Sequence, residues 1–206
     1  MDDLKGQARR GADSRRAILQ AATEVFARKG FRGGGLAEVA ERVEMTAAGI
    51  LYHFGSKEAL LLAVIEYRDE RARALGADLW QPGQRLESLK QLVRFAEMSE
   101  AEPGLAALHT VLQIENLEPS DLAYDYFQRR TQWLQRWIGD TLMSARSLGE
   151  VAEGVDLEAK TVEIAAFLEG AAVLWLMNRH LSLVAMYRTY LDAVAAQITP
   201  LDLPDR

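Results

Sequence analysis

The sequence predicts an all-α protein of about nine helices. Three observations predict it. Apolar residues recur at three- and four-residue spacing along most of the chain, which is the period of a helix with one buried face. No alternating apolar and polar run is long enough to make a strand. Gly, Pro and short polar capping residues fall between the periodic segments, where helices start and stop.

Residues 1–12 are polar, basic and glycine-bearing, and read as a mobile arm. Asp13 or Ser14 can cap a helix over 13–29, with Ile18, Ala21, Ala22, Val25 and Phe26 on one face. Gly30 stops it, Phe31 turns back toward the core, and Gly33, Gly34 and Gly35 suggest a flexible loop. A short helix over 36–43 places Leu36, Val39, Ala40 and Val43 on one side. Thr46 can cap a second short helix over 46–52, whose buried side takes Ile50 and Leu51, with Phe54 anchoring its exit. Ser56 caps a long helix over 57–79, ended by Pro82 and Gly83. Five more helices fit 84–100, 105–115, 120–148, 157–178 and 183–198.

The net charge of -6 is unevenly spread. Residues 1–57 hold ten basic residues against seven acidic, and the remainder holds fourteen against twenty-three. A basic head on an acidic body is expected when one end meets phosphate. The absence of cysteine excludes disulfides and thiolate chemistry and fits a reducing cytoplasm. No apolar stretch follows the basic start as a signal peptide would require. The most apolar run, near 162–177, is interrupted by Glu163 and Glu169 and reads as a buried helix, so no membrane association is expected.

The segment 36–52 is helix, tight turn, helix. Two such short helices cannot bury their apolar faces alone, so the first helix must pack across both. That makes a three-helix unit whose last helix can enter a major groove. The residues at its start, Thr46, Ala47, Ala48 and Gly49, are all small and let the backbone approach base edges. Base discrimination then leans on thymine methyl groups, on Thr46 and on DNA shape.

On residues 16–22 (RAILQAA), 25–31 (VFARKGF), 36–42 (LAEVAER), Met45-Thr46 and 51–60 (LYHFGSKEAL), the sequence resembles the tetracycline-repressor (TetR) family of bacterial regulators. The resemblance is close over about 14–65 and loose beyond. There, 167–176 (FLEGAAVLWL) is similar to the family's penultimate helix. It implies a nine-helix TetR-like fold, with an N-terminal arm and helix-turn-helix domain over 1–56 and a C-terminal effector-binding and dimerisation bundle over 57–206. It also implies a homodimeric transcriptional regulator on a palindromic double-stranded DNA operator, most simply a repressor released by a small, largely apolar effector. By position, Thr46 would cap the recognition helix and meet DNA beside Ala47, Ala48 and Gly49. Tyr52 and His53 would touch the DNA backbone, and Lys57 a phosphate. Arg9 and Arg10 of the arm, with Lys5, would add affinity. An activator, a regulator without effector, a helical interaction protein and an enzyme are the alternatives. No paired catalytic residues or nucleotide loop supports an enzyme.

Three positions depart from the family pattern. Leu51 stands where a Tyr is usual, with Tyr52 one residue later. Glu44 stands where the turn usually has Gly. Gly35 replaces the usual Ser or Thr cap. A left-handed conformation at Glu44 would cost roughly 1–2 kcal/mol.

His53, His109 and His180 show no metal-ligand spacing, so no metal or cofactor is expected. A helical bundle can hold a ligand among aromatics and a few polar groups. The candidates here are His109, Gln113, Asn116, Phe127, Trp133, Trp137, Phe167 and Trp175. Phe167, Gly170, Ala171 and Leu174, with Leu183, Met186, Tyr190 and Val194, form wide faces suited to an intersubunit four-helix bundle.

Overall fold

The computed structural model describes residues 2–74 and 85–200, with side chains from residue 11 onward. Among them are nine α-helices and no strand: α1 (Asp2–Gly33), α2 (Leu36–Arg42), α3 (Ala47–Phe54), α4 (Lys57–Ala74), α5 (Val93–Ala101), α6 (Pro103–Glu115), α7 (Tyr124–Ser147), α8 (Leu157–Met177) and α9 (Leu183–Ile198). A 3-10 segment, Leu86–Leu92, leads into α5. By compactness the chain forms two units, one of residues 1–76 with 104–125 and one of 77–103 with 126–206. The first unit therefore gathers α4 and α6 with the three N-terminal helices, a different division from the boundary expected at 56/57.

The expected mobile arm is instead the first turns of α1, which begins at Asp2. The physical reason is local. Leu4, Lys5, Gln7, Ala8, Arg9 and Arg10 are good helix formers, and Asp2 and Asp3 suit the positive end of the helix dipole. Asp13 and Ser14 consequently lie inside the helix rather than capping it. The side chains of Lys5, Arg9 and Arg10 lie outside the described residues. Gly30 does interrupt α1, at φ 71° and ψ 174°, a region open essentially to glycine alone.

In the first unit, Ile18, Ala22, Val25 and Phe26 of α1, Val39 of α2, Ile50 of α3 and Leu60, Leu61 and Val64 of α4 are completely buried. The apolar stripe of α1 thus packs on α2 and α4, and α3 joins the same core through α2 and α4. Of the glycine triplet, Gly34 is held by packing. A Cβ on Gly34 would come within 2.8 Å of the Phe26 ring, and its N–H donates to the Gly30 carbonyl at 3.0 Å. Glycine there permits a close approach, not the flexible loop that composition suggested.

In the second unit, α9 packs on α5, on the 3-10 segment and on α8. Leu89, Leu92, Ile138, Leu142, Ile164, Leu183, Leu191 and Ile198 fill the core. Asp156 caps α8 through the N–H groups of Glu158 and Ala159. Ser182 caps α9, and Glu100 accepts from Val184 N–H at 3.1 Å at the same helix start. The α7–α8 connection is held by Arg146, which donates to the carbonyls of Ala152 and Val155.

Candidate nucleic-acid interface

The turn between α2 and α3 is built as its sequence demanded. Val43 ends α2, and Glu44 takes φ 53°, the one left-handed non-glycine among the described residues. Met45 N–H returns to the Ala40 carbonyl at 2.9 Å. Thr46 then caps α3, its hydroxyl accepting from Gly49 N–H at 3.1 Å. Gly35 caps α2 without any side-chain hydrogen bond. Ser56 opens α4 by accepting from Ala59 N–H at 3.0 Å.

With Ile50 fully buried, helical geometry fixes what faces outward. Thr46 and Ala48 are exposed, Ala47, Gly49 and His53 are half-buried, and Tyr52 is 88% exposed. Gly49 also serves packing, because a Cβ there would meet the Met45 methyl at 3.2 Å. Leu51 corrects the sequence reading. It is 39% exposed rather than buried with Ile50, since one residue turns a side chain by about 100°. Ala48, Leu51 and Tyr52, spaced by three and four, make one exposed ridge.

The cations sort into two groups. Arg28, Lys29 and Arg42 all converge on Glu38, with Lys29 at 2.7 Å and Arg42 at 3.2 Å. Lys29 and then Arg28 hold the Glu38 carboxyl below the usual carboxylate range. Arg32 is taken by Asp121 at 2.9 Å. Two cations near the C-terminal end of α3 meet aromatic faces instead. The Arg15 guanidinium lies 4.4 Å from the Phe54 ring centre, and the Lys57 ammonium 4.6 Å from that of Phe31. Neither belongs to an ion pair of the described residues, so neither charge is matched there by a carboxylate. Lys57 is the one the sequence offers as a phosphate contact. Nothing in the spacing of Arg15 announces that it leans on Phe54, thirty-nine residues away.

The remaining candidates divide between the two units. In the first, Asn116 is buried and fully engaged. Its side chain donates to the Leu112 carbonyl at 2.7 Å and accepts from Ala123 N–H at 2.9 Å, which shapes the connection after α6. That engagement makes it a structural residue where a ligand contact was expected. His109 and Gln113 are half-buried. In the second unit, Phe127 and Trp137 are core residues, and Trp133 packs edge-on against Phe95. Phe167 stacks on Tyr190 at 3.7 Å. Trp175, covered by Arg179, borders a solvent-open groove of about 470 Å³ with Glu100, His180 and Ser182. No group of three or more metal-ligating side chains gathers among the described residues.

Of the faces expected to pair, Ala171, Leu183 and Val194 are buried within the protomer, while Phe167, Met186 and Tyr190 are half-buried. Gly170 and Leu174 are exposed. They continue into an exposed row on α8, Val162, Ala166, Gly170 and Leu174 at four-residue spacing, with Met177 beyond at 81% exposure. Beside it, Glu163 accepts from Lys160 at 2.5 Å and from the Tyr190 hydroxyl at 3.0 Å. Lys160 and then Tyr190 keep its carboxyl below the usual range. No single helix among the described residues is long and apolar enough to cross a membrane.

Comparison with known proteins agrees with this geometry. The family model for bacterial regulatory proteins of the tetR family matches residues 18–64. The HTH-type transcriptional repressor NicS of Pseudomonas putida is 30% identical over 145 residues, a match that covers 68% of this chain and 63% of that repressor's own length. A TetR transcriptional regulator from Chloroflexus aurantiacus shares the fold at a TM-score of 0.72 and 21% identity, over 93% of this chain and 98% of that one. FadR from Bacillus subtilis, solved in complex with stearoyl-CoA, shares it at 0.68 and 19% identity, over 89% and 98%. Helix order, turn chemistry and sequence match converge: the chain belongs to the tetR family of bacterial regulatory proteins.

Proposed function

We propose that this protein is a DNA-binding transcriptional regulator, working in the cytoplasm as a homodimer that lays α3 of each protomer into a major groove of a palindromic operator. The observation that carries the reading is the exposed ridge of α3, Ala48, Leu51 and Tyr52, with the uncommitted charges of Arg15 and Lys57 beside it. Cations at its edges would fix register on phosphates while the small face meets base edges.

The exposed row of Val162, Ala166, Gly170, Leu174 and Met177 supports a second copy as the partner of α8. Apolar residues repeating on one outward helical face are stable in water only when covered. Two recognition helices must then lie about 34–36 Å apart to reach successive major grooves. Repression is the simplest output, as in the similar repressor NicS. A small, largely apolar effector is supported by the aromatic content of α7; FadR, which has this fold, binds stearoyl-CoA, whose acyl tail alone is apolar. Such an effector would act only by binding the released and DNA-bound states unequally.

The test is fluorescence-anisotropy binding of the full chain to duplex DNA from immediately upstream of its own coding region, with Tyr52→Ala and Lys57→Ala as variants. Salt-sensitive binding that both substitutions weaken supports the reading. Binding indifferent to both would overturn it.

A further inference from the structure

The outward face of α3 carries a side chain whose chemistry limits what it can read. Leu51 stands 39% exposed between Ala48 and Tyr52 on the ridge, while Ile50 beside it is completely buried. Along this face Ala47, Ala48, Gly49 and Leu51 have no side-chain hydrogen-bonding group. The Thr46 hydroxyl accepts from Gly49 N–H and keeps its own O–H to donate at the helix start. The ridge of Ala48, Leu51 and Tyr52 meets base edges with hydrocarbon, apart from the phenol of Tyr52.

A major groove offers one apolar feature, the C5-methyl of thymine. Cytosine presents an amino donor at the corresponding edge, and guanine presents two acceptors. Against Leu51 these would lose water without gaining a partner. We propose that Leu51 is a specificity residue that packs on a thymine methyl in each operator half-site. The proposal rests on the DNA-binding reading above and deepens it by naming the base feature recognised. The small neighbours Ala47, Ala48 and Gly49 let the helix sit close enough for the branched end of Leu51 to reach that methyl. Arg15 and Lys57, both near the C-terminal end of α3, would fix the ridge on phosphates.

The experiment begins with selection of binding sites by the full-length protein from a duplex library with a randomised core. Each selected thymine is then replaced by deoxyuridine, which removes only the methyl. Affinity is read for the unmodified protein and for Leu51→Ala and Leu51→Met. The expected result is one thymine position per half-site at which deoxyuridine weakens binding by about fourfold, the worth of one buried methyl. Leu51→Ala should bind both duplexes equally at that position, and Leu51→Met should retain the difference. Because Leu51 is 39% exposed, the thermal midpoint should fall only slightly and both variants should stay folded.

Two results would overturn the proposal. If sites are selected but deoxyuridine is neutral throughout, or equally costly with Leu51→Ala, the methyl contact is wrong and the DNA-binding reading stands. If no sequence is selected and the protein shows no DNA binding, both fall together.

Discussion

Glu115, the last residue of α6, accepts the backbone N–H of Phe31 at 2.5 Å, and its carboxylate occupies the space a side chain on Gly30 would need. The bond joins residues eighty-four positions apart and ties the end of α6 to the break in α1. Arg32 and Asp121 reinforce the same junction. Gly30 is thus fixed twice, by its φ of 71° and by the oxygen that would lie 2.0 Å from a Cβ.

Gly30→Ala should therefore destabilise the protein by about 2–4 kcal/mol, combining backbone strain with displacement of a charged acceptor. Glu115→Ala should cost about 1–3 kcal/mol through the lost bond to Phe31. The double variant should cost less than the sum, because removing the carboxylate leaves room for the new methyl. Urea denaturation of all four proteins measures this coupling. Strict additivity would mean that the two residues do not share one site.

Glu44→Gly should stabilise the protein by roughly 1 kcal/mol, since the left-handed turn at φ 53° is strained for Glu and open to Gly. The thermal midpoint should rise with DNA affinity unchanged. A fall in the midpoint would mean that the Glu side chain contributes more than its backbone costs.

Acid should loosen the joint between α1 and α2. The Glu38 carboxyl is held below its ordinary value of 4.5, chiefly by the hydrogen bond from Lys29. A lowered pKa in the folded state means that the unfolded chain binds more protons, so stability increases with pH through this range. The contribution is complete above about 4.5 and disappears as pH falls through the lower folded value. Urea midpoints followed from neutral pH into this window should fall less steeply for Glu38→Gln. Parallel curves would assign the acid sensitivity to other groups.

Salt dependence separates the two classes of cation. Arg15→Ala and Lys57→Ala should each reduce the slope of log affinity against log salt by roughly 1.8 for a dimer on two half-sites, at about 0.9 per phosphate. Arg28→Ala, whose guanidinium is held by the Glu38 carboxylate, should change the slope less. Equal effects from all three would show that the Glu38 cluster also opens onto DNA.

Leu174→Asp should yield a monomer with weak operator binding, because it sets one charge from each copy into the row on α8. Sedimentation equilibrium reads the state directly. A dimer of unchanged strength would place the interface elsewhere. Leu174 is largely exposed in the protomer, so the fold should survive the change.

How much was legible in the sequence follows from how far each feature reaches along the chain. Most of the helices, the stop at Gly30 and the cap at Thr46 are readable, and the family resemblance points to the left-handed turn at Glu44, whereas the helix expected over 84–100 opens as a 3-10 segment over Leu86–Leu92. Each readable feature depends on side chains within one or two turns: apolar spacing, a hydroxyl three residues before its N–H, a steric limit on φ. The N-terminal residues 2–12 are helical rather than a mobile arm, because their local helix propensity outweighs their basic and glycine content.

The outward turn of Leu51, the hold of Glu115 on Phe31 and the capture of three cations by Glu38 were decided only by tertiary packing. The buried face of an eight-residue helix is set by the partners packed against it, and a one-residue change moves a side chain by about 100°. A carboxylate eighty-four residues away leaves no mark on local periodicity. Local sterics and spacing thus determined which segments are helical and where they turn. The closing of one core around α1 determined which face of α3, and which of its neighbouring charges, remain for a partner.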